Sequence, residues 1–543
     1  MAKVYVDGNE IEIGDKERLN GIQAAERIGI DIPRYCWHPG LTVVASCRMC
    51  LVESGTRNAE TGEIQMMPKL VPACQTPAKD GTVFVTNSQK VHEARARVEE
   101  DLLLRHPVDC PICDKAGECY LQDYHFDHGQ KERRADIRPF TSRRRDVGPA
   151  VTLFVDRCVM CSRCVRFTRE IAGTSELMIV NRGSHEEIDT VPGFPLNNKM
   201  SGNVVDLCPV GALGDKDFLY SQRVWFMKKH PGVCTGCSTG CSMWTEENQD
   251  HVYRLKPREN PHVNHWWLCD EGRYGFHFVH SDARRIGLRR REATGVYAEI
   301  DWSILPGEMQ SRLSTAGRLA GVLSPHLTVE EAYLFAKYLR GFDPEAVLAL
   351  GPVPMAEEDE RFKNGFTIRA EKCPNRRGVE AVVRHFTGAC PTFYELLPRI
   401  EQGEFGGVWV TGGYKEPAYD VDVFDQEIAD RFDNVKLLIV QDIFASPLWN
   451  RADYQLAGGT FAERDGSYVN FADRLQGAKW AVRPPAGAWA EGPLYWRLLN
   501  QPGLFNARKV LSDVAAEIIY FAAAADEVPA TGVDLKINQL AMT

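Results

Sequence analysis

The sequence predicts a multidomain protein, α+β in its N-terminal half and α/β toward its C-terminus. Three observations point there. At 543 residues the chain is too long for one hydrophobic core and should divide into several. Its first residues alternate apolar and polar around a tight-turn signal, whereas after residue 275 short apolar runs alternate with helical stretches. Finally, 15 of the 17 cysteines fall before residue 270, so the chain is divided chemically as well.

The elements follow in order. Val4-Tyr5-Val6 and Ile11-Glu12-Ile13 flank Asp7-Gly8-Asn9-Glu10, a hairpin signal. Ile22 to Ile28 reads as a short helix, a cysteine-bearing loop begins at Pro33, and Thr82-Val83-Phe84-Val85 closes this first α+β unit near residue 85. Residues 88 to 105 predict a charged helix capped by Ser88, with Val91, Ala94, Val98 and Leu102 on one face and Pro107 as its stop. The Arg-rich stretch Lys131 to Arg145 reads as a solvated linker. A second compact unit spans about 150 to 215, and a further cysteine group occupies 230 to 270. Beyond it, strands are expected at Gly321-Val322-Leu323, Ala346 to Leu350, Gly407 to Val410 and Val435 to Val440. With helices such as Val329 to Arg340 between them, they imply a mainly parallel sheet.

Composition narrows the function classes. A hydrophobic share of 44% with 25% charged residues is ordinary for a soluble globular protein, and a net charge of −10 argues against a general nucleic-acid binder. The apolar run Ile518-Ile519-Tyr520-Phe521, followed by four alanines, stops at Asp526, too short to cross a bilayer. Met1 to Asp7 reads straight into a strand, so no signal-peptide core is expected, and any work at a membrane would depend on partners. Without an export signal, tight cysteine clusters in a long chain read as metal-binding thiolates rather than a disulfide framework.

Four constellations carry this reading. Cys36, Cys47, Cys50 and Cys74 are spaced x10, x2 and x23, close to the plant-type 2Fe–2S arrangement with a longer first gap. Tetrahedral zinc suits four thiolates equally, but the hairpin and helix before Cys36 favour 2Fe–2S. His106, Cys110, Cys113 and Cys119 form H-x3-C-x2-C-x5-C, a 4Fe–4S site with one imidazole ligand. A histidine at a helix C-terminus also serves the helix dipole without any metal, and His125 and His128 are competing ligands. Cys158, Cys161 and Cys164 form C-x2-C-x2-C, which binds three corners of a 4Fe–4S cubane, with Cys208 before Pro209 as the distal fourth. Arg163 and Arg166 are placed to offset thiolate charge. Cys234, Cys237, Cys241 and Cys269 form C-x2-C-x3-C-x27-C, which resembles the N-terminal cluster module of molybdopterin oxidoreductases. Trp266 and Trp267 beside Cys269 should shield that cluster from water.

In this order the four constellations resemble those of the large iron–sulfur subunits of bacterial NADH:quinone oxidoreductase, respiratory complex I. The resemblance is most specific from residue 30 to 273 and extends over essentially the whole chain. It implies a β-grasp 2Fe–2S ferredoxin-like domain (1–86), a His/Cys3 4Fe–4S domain (87–146), a 4Fe–4S ferredoxin-like domain (147–220) and a 4Fe–4S domain of molybdopterin-oxidoreductase type (221–277). A degenerate molybdopterin-oxidoreductase-like α/β domain (278–543) would complete the chain. One 2Fe–2S and three 4Fe–4S clusters are implied, the last off the main path. The implied activity is electron relay from a flavin- and NADH-binding subunit to a quinone-side iron–sulfur subunit, peripheral on the cytoplasmic side of the inner membrane. No direct span, no nucleic acid, no catalytic residue and no independent substrate chemistry are expected.

The rest of the chain supplies the alternatives. Gly458 to Asn470 resembles the stretch of molybdopterin enzymes that runs past the cofactor, and Cys373 stands at about the distance after Cys269 of a metal-ligating residue. An ordinary loop cysteine before Pro374 is the plainer reading, Cys390 reads as a small buried hydrophobe, and residues 278 to 543 are too few for such a cofactor's cradle, so no molybdopterin is expected. The competing functions are the large subunit of an NAD-linked formate dehydrogenase-type molybdenum enzyme, the electron-transfer subunit of an NAD-reducing hydrogenase, and a zinc-stabilised scaffold. No Gly-rich dinucleotide fingerprint opens a helix, so NADH and flavin should bind a partner.

Overall fold

Alternation along the first strands sets the N-terminal core. In a computed structural model, which describes residues 2–132, 134–141, 143–183, 185–415 and 423–536, Ala2–Val6 pairs antiparallel with Asn9–Ile13. The turn is the two residues Asp7 and Gly8, at φ +46° and +85°, a left-handed pair that matches strand twist. Val4, Val6, Ile11 and Ile13 point to one face and bury against Ile22, Ala24 and Ala25 of helix α1 (Gly21–Glu26). Thr82–Val85 then inserts parallel to the first strand and antiparallel to Leu51–Arg57. This is the β-grasp arrangement expected from the sequence, with α1 one residue earlier at its start and two shorter at its end. The ligand loop between α1 and Leu51 has no regular structure, which leaves its thiols free to turn inward.

The second helix, α2 (Gln89–Arg105), begins at Ser88, whose side chain accepts from Val91 N, and ends at His106. Its buried face differs from the expected one. Val91 is buried, but its companions are Arg95 and Glu99, while Ala94, Val98 and Leu102 are only half-buried. The reason is tertiary, because Glu99 accepts a hydrogen bond from the Tyr35 hydroxyl in the cysteine loop. Helix α3 (Tyr120–His128) starts directly after Cys119. The described residues of the Arg-rich stretch are largely exposed, as a solvated linker would be, and its end is also fastened by ion pairs, Arg143 with Asp156 and Glu187 and Arg145 with Glu187 and Asp189.

Two compact units are present. One holds the chain through Met227 together with Phe362–Asn364, and the other holds the remainder from Lys228 onward. In the second unit an antiparallel meander of Lys228–Val233, Ser242–Asn248 and His251–Pro257 carries the last cysteine group. A seven-stranded sheet follows. Five neighbouring strands, Val347–Leu350 at one edge, then Leu319–Leu323, Gly407–Thr411, Leu437–Asp442 and Tyr454–Ala457, run parallel, and two antiparallel strands continue the sheet beyond Tyr454–Ala457. Both faces are covered: Leu319 and Leu323 enter one core while Ala320 and Val322 enter the other. Helix Val329–Phe342 leaves the first strand through a capping box of Thr328 and Glu331.

The carboxyl ends of these parallel strands, where an open α/β sheet takes its ligand, are filled by side chains. Arg464 pairs with Glu331 and Glu491 at 3.1 and 2.8 Å, all three buried. Glu330 accepts from Ser467 N and Oγ, and the Asp442 carboxylate accepts from Gly413 N at 2.8 Å. Gly412 passes so close to that carboxylate that a Cβ would stand 2.1 Å from it. Cys390 is half-buried and packs against the core, a little more open than expected.

Candidate metal centres

The first set is brought together. Cys36, Cys50 and Cys74 are buried and Cys47 half-buried, and Cys36 N donates to Cys47 Sγ at 3.5 Å. Hydrogen bonds from the Cys47 and Cys74 thiols hold Cys36 well below the ordinary thiol range, and the same bond pushes Cys47 up. Cys74 interacts with Cys36 and Cys50 alike, so the four thiols form one connected group. Ala45 and Arg48, at φ +52° and +60°, reverse the loop on either side of Cys47. Cys74 is anchored from the N-terminus of α1, where Asn20 Nδ2 donates to its carbonyl at 3.0 Å.

In the second set, Cys110 is exposed and Cys113 and Cys119 half-buried. Burial pushes the Cys119 thiol up to about 11 and raises Cys113 as well, with each facing another cysteine of the set. His106 stands beside the Arg157 guanidinium, which also faces Cys113. Burial, and then Arg157, lower the imidazole to about 4, so it is neutral at physiological pH, the state in which it can ligate a metal. His125 and His128 lie on α3, His128 against His92 and Tyr124.

The third set lines one apolar cavity, with Cys158, Cys161, Cys164 and Cys208 among Leu153, Ile188 and Leu213. Met160 and Ser162 adopt φ +48° and +58°, two left-handed reversals that turn successive cysteines inward. Burial pushes Cys161 to about 11 and Cys158 and Cys164 upward too. Met160 N donates to Cys158 Sγ at 3.3 Å.

The fourth set is buried throughout, and Cys241 and Cys269 both face Cys234 and Cys237. Gly236 N and Gly272 N donate to Cys234 and Cys269 Sγ at 3.4 and 3.3 Å. At Gly272 any Cβ would come within 2.9 Å of Cys234 Sγ, so this close approach requires glycine. Trp267 is buried and Trp266 half-buried, as their position beside Cys269 suggested. Cys373 is fully buried near Cys237, and burial pushes its thiol up.

These donor sets suit a cationic metal core. Buried thiols raised by desolvation ionise only against a compensating cationic core. A zinc ion takes its ligands about 2.3 Å from one point. A cubane instead takes one thiolate at each of four separated irons.

Sequence reasoning named Arg163 and Arg166 for their charge but missed the contacts that tie the first three sets together, because these act across long separations. Arg163 donates to Leu207 O at 3.2 Å and to Trp37 O. Arg166 donates to the carbonyls of Cys36 and Thr42, and to Cys161 O at 3.2 Å. Arg157 pairs with Asp109, Tyr120 N donates to Pro209 O at 2.9 Å, and Arg223 donates to Cys113 O at 2.7 Å. At Gly211 a Cβ would lie 2.2 Å from Cys113 Sγ, so the distal segment of the third set packs on the second.

Comparison with known proteins follows the same division. Residues 1–89 match a 2Fe-2S iron-sulfur cluster binding domain, and 95–134 match the NADH-ubiquinone oxidoreductase-G iron-sulfur binding region. Residues 148–214 match the ferredoxin-like domain of NADH-quinone oxidoreductase subunit 3, and 227–281 the molybdopterin oxidoreductase Fe4S4 domain. The NADH-quinone oxidoreductase G subunit of Streptomyces coelicolor is 34% identical over 344 residues, 63% of this chain and 39% of that protein. The G subunit of Rickettsia felis is 32% identical over 63% of this chain and 49% of that protein. The NADH-ubiquinone oxidoreductase 75 kDa subunit of Reclinomonas americana is 32% identical over 66% and 51%. The matched region thus spans between 39% and 51% of the length of these relatives. Among solved structures, a chain of an NAD+-reducing [NiFe]-hydrogenase in the H2-reduced state aligns over 41% of this chain and 91% of its own, at 28% identity and TM-score 0.35. Over its iron–sulfur region the chain is therefore similar, domain type by domain type, to the NADH-quinone oxidoreductase G subunits, the resemblance its motifs carry.

Proposed function

We propose that this chain is an electron-transfer subunit of the peripheral arm of an NADH:quinone oxidoreductase, relaying electrons from a flavin subunit toward a quinone-side iron–sulfur subunit. The observation that carries the reading is the presence of four thiolate-rich donor sets in four matched iron–sulfur domains, the third joined by hydrogen bonds of neighbouring residues to the first and to the second in one unit. The sixteen ligands would be Cys36, Cys47, Cys50 and Cys74 for a 2Fe–2S cluster, and His106, Cys110, Cys113 and Cys119 for the first 4Fe–4S cluster. Cys158, Cys161, Cys164 and Cys208 would hold the second cubane, and Cys234, Cys237, Cys241 and Cys269 the third. When bound, such clusters accept and release one electron at a time.

The chain's own residues do the rest. The thiols fix the sites, backbone N–H groups donate to the sulfurs of Cys47, Cys158, Cys234 and Cys269, and apolar walls exclude water; both effects tune potential. Attachment through partners on the cytoplasmic side of the inner membrane is part of this proposal; no described helix is long and apolar enough to cross a membrane. Against a molybdenum enzyme, the carboxyl ends of the parallel strands are plugged by Arg464, Glu331, Glu491 and Asp442. One cavity of about 880 Å³ in the second unit is lined by residues such as Trp244, Arg258 and Arg508.

The test is iron, sulfide, zinc and molybdenum analysis of anaerobically purified protein with low-temperature EPR. About 14 irons per chain are expected, with no molybdenum. Stoichiometric molybdenum would transfer the case to the formate dehydrogenase-type reading, and zinc in place of iron would end the electron-carrier reading.

A further inference from the structure

Arg163 and Arg166 are among the most buried charged residues of the first unit, 4% and 2% exposed. They lie between and just after the ligands Cys161 and Cys164, yet several of their hydrogen bonds leave this domain. Arg166 Nη2 donates both to the carbonyl of Cys36, a ligand of the first set, and to the carbonyl of Cys161, a ligand of the third, at 3.2 Å. Its Nη1 donates to Thr42 O in the same N-terminal loop. Arg163 joins Trp37 O, next to Cys36, to Leu207 O, next to Cys208. The Arg163 side chain also lines the cavity of the third set, and its buried Nε has no hydrogen-bond partner. The nearby acid Glu170 is occupied by Thr42 N and Oγ1 at 3.0 and 2.7 Å and by Arg169.

We propose that Arg166, seconded by Arg163, is the electrostatic and hydrogen-bonding bridge between the 2Fe–2S centre and the Cys158/Cys161/Cys164/Cys208 centre, setting the potentials of both. The proposal rests on the cluster reading given above. A guanidinium keeps its charge even when buried, and away from bulk water that charge is weakly screened. Reduction adds one negative charge to a centre, so a fixed cation beside both centres favours their reduced states and raises both potentials. The same Nη2 offers a path of two hydrogen bonds, from the peptide of one ligand to the peptide of another. One electron crosses from the first centre to the third, and no proton or bond is exchanged. Arg166 is a positioning residue, acting through the ligand peptides.

The experiment is an EPR redox titration of the assembled complex carrying Arg166→Gln or Arg166→Lys. With Gln, the midpoint potentials of the 2Fe–2S signal and the third-set 4Fe–4S signal are expected to fall together, while the fourth-set signal stays in place. Lys keeps the charge but loses the shared donor. Both potentials should then stay nearer wild type, while freeze-quench after an NADH pulse shows slower arrival of the electron at the third set behind the first. A shift at one centre alone, or at neither with both signals at full intensity, overturns the bridge. Should the Gln variant fail to assemble, an unchanged transfer rate in the Lys variant overturns it equally. Absence of iron signals from the wild-type protein is a separate failure, because it removes the cluster reading itself before any variant is compared.

Discussion

At the scale of single residues, the decisive groups are buried charges. Arg464 is enclosed with Glu331 and Glu491 at the carboxyl ends of the parallel strands, and burial raises Glu491 to about 8. Truncating one partner of such a set leaves the others uncompensated, at a cost of about 3–5 kcal/mol. Arg464→Met should therefore destabilise the second unit by that order in urea unfolding, and a loss below about 1 kcal/mol would contradict the enclosed network. Glu99 makes a pH-dependent case. Burial raises its carboxyl to about 7, whereas in the unfolded chain it titrates near ~4.3. Between those values the folded protein holds a proton that the unfolded chain has released. The stability tied to Glu99 is thus fully present below the lower value and lost as pH rises through the upper one. Glu99→Gln still offers Tyr35 an acceptor and cannot ionise, so its thermal midpoint should gain on wild type from about pH 5 to about pH 8. An equal offset at both ends would show that Glu99 does not titrate in this window.

At the scale of elements, a ligand can be held from a neighbouring helix as well as by its own loop. Asn20 illustrates this. Its Oδ1 accepts from Gln23 N at 3.0 Å to start α1, while its Nδ2 donates to Cys74 O at 3.0 Å. Asn20→Ala should cost about 1 kcal/mol through the cap alone, and more through the freed Cys74. The readout is a lower yield of the 2Fe–2S EPR signal with the 4Fe–4S signals retained; a stability loss with full 2Fe–2S intensity would limit Asn20 to capping. Strands, helices and ligand spacing in this region were legible in the sequence because they are local: period-two alternation, a Ser88 cap, a run of cysteines two residues apart. The buried face of α2 was not. Arg95 and Glu99 look like solvent residues until Tyr35, sixty-four positions away, supplies the partner that draws Glu99 inward. Arg143 and Arg145 similarly reach Glu187, and Arg145 also Asp189, more than forty residues downstream, a pairing no local pattern encodes.

For the whole molecule, spacing predicts four candidate donor sets, but not how their surroundings are joined. The chain places its sets in the order one, two, three and four, whereas hydrogen bonds join the third set to both of its predecessors, through Arg166 to the first and through Tyr120 N and Pro209 O to the second. The fourth set belongs to the other unit, built on the meander and the parallel sheet. This division gives the two kinds of site different expected roles. On the proposed function, Cys161→Ala should remove the cubane of the set whose surroundings are hydrogen-bonded to both neighbouring sets, and abolish quinone reduction by the assembled complex. Cys237→Ala should erase only the fourth-set EPR signal, lower the thermal midpoint of the second unit, and leave quinone reduction near wild type. Measuring NADH-driven quinone reduction alongside the spectra separates the cases. If Cys237→Ala stops turnover while the other three signals remain, the fourth centre carries current, and hydrogen-bond continuity within one unit is not what selects the path. If turnover survives, the fourth set acts as a structural core for the unit that holds it, its thiols enclosed by Gly236, Gly272 and Trp267 where water would otherwise enter.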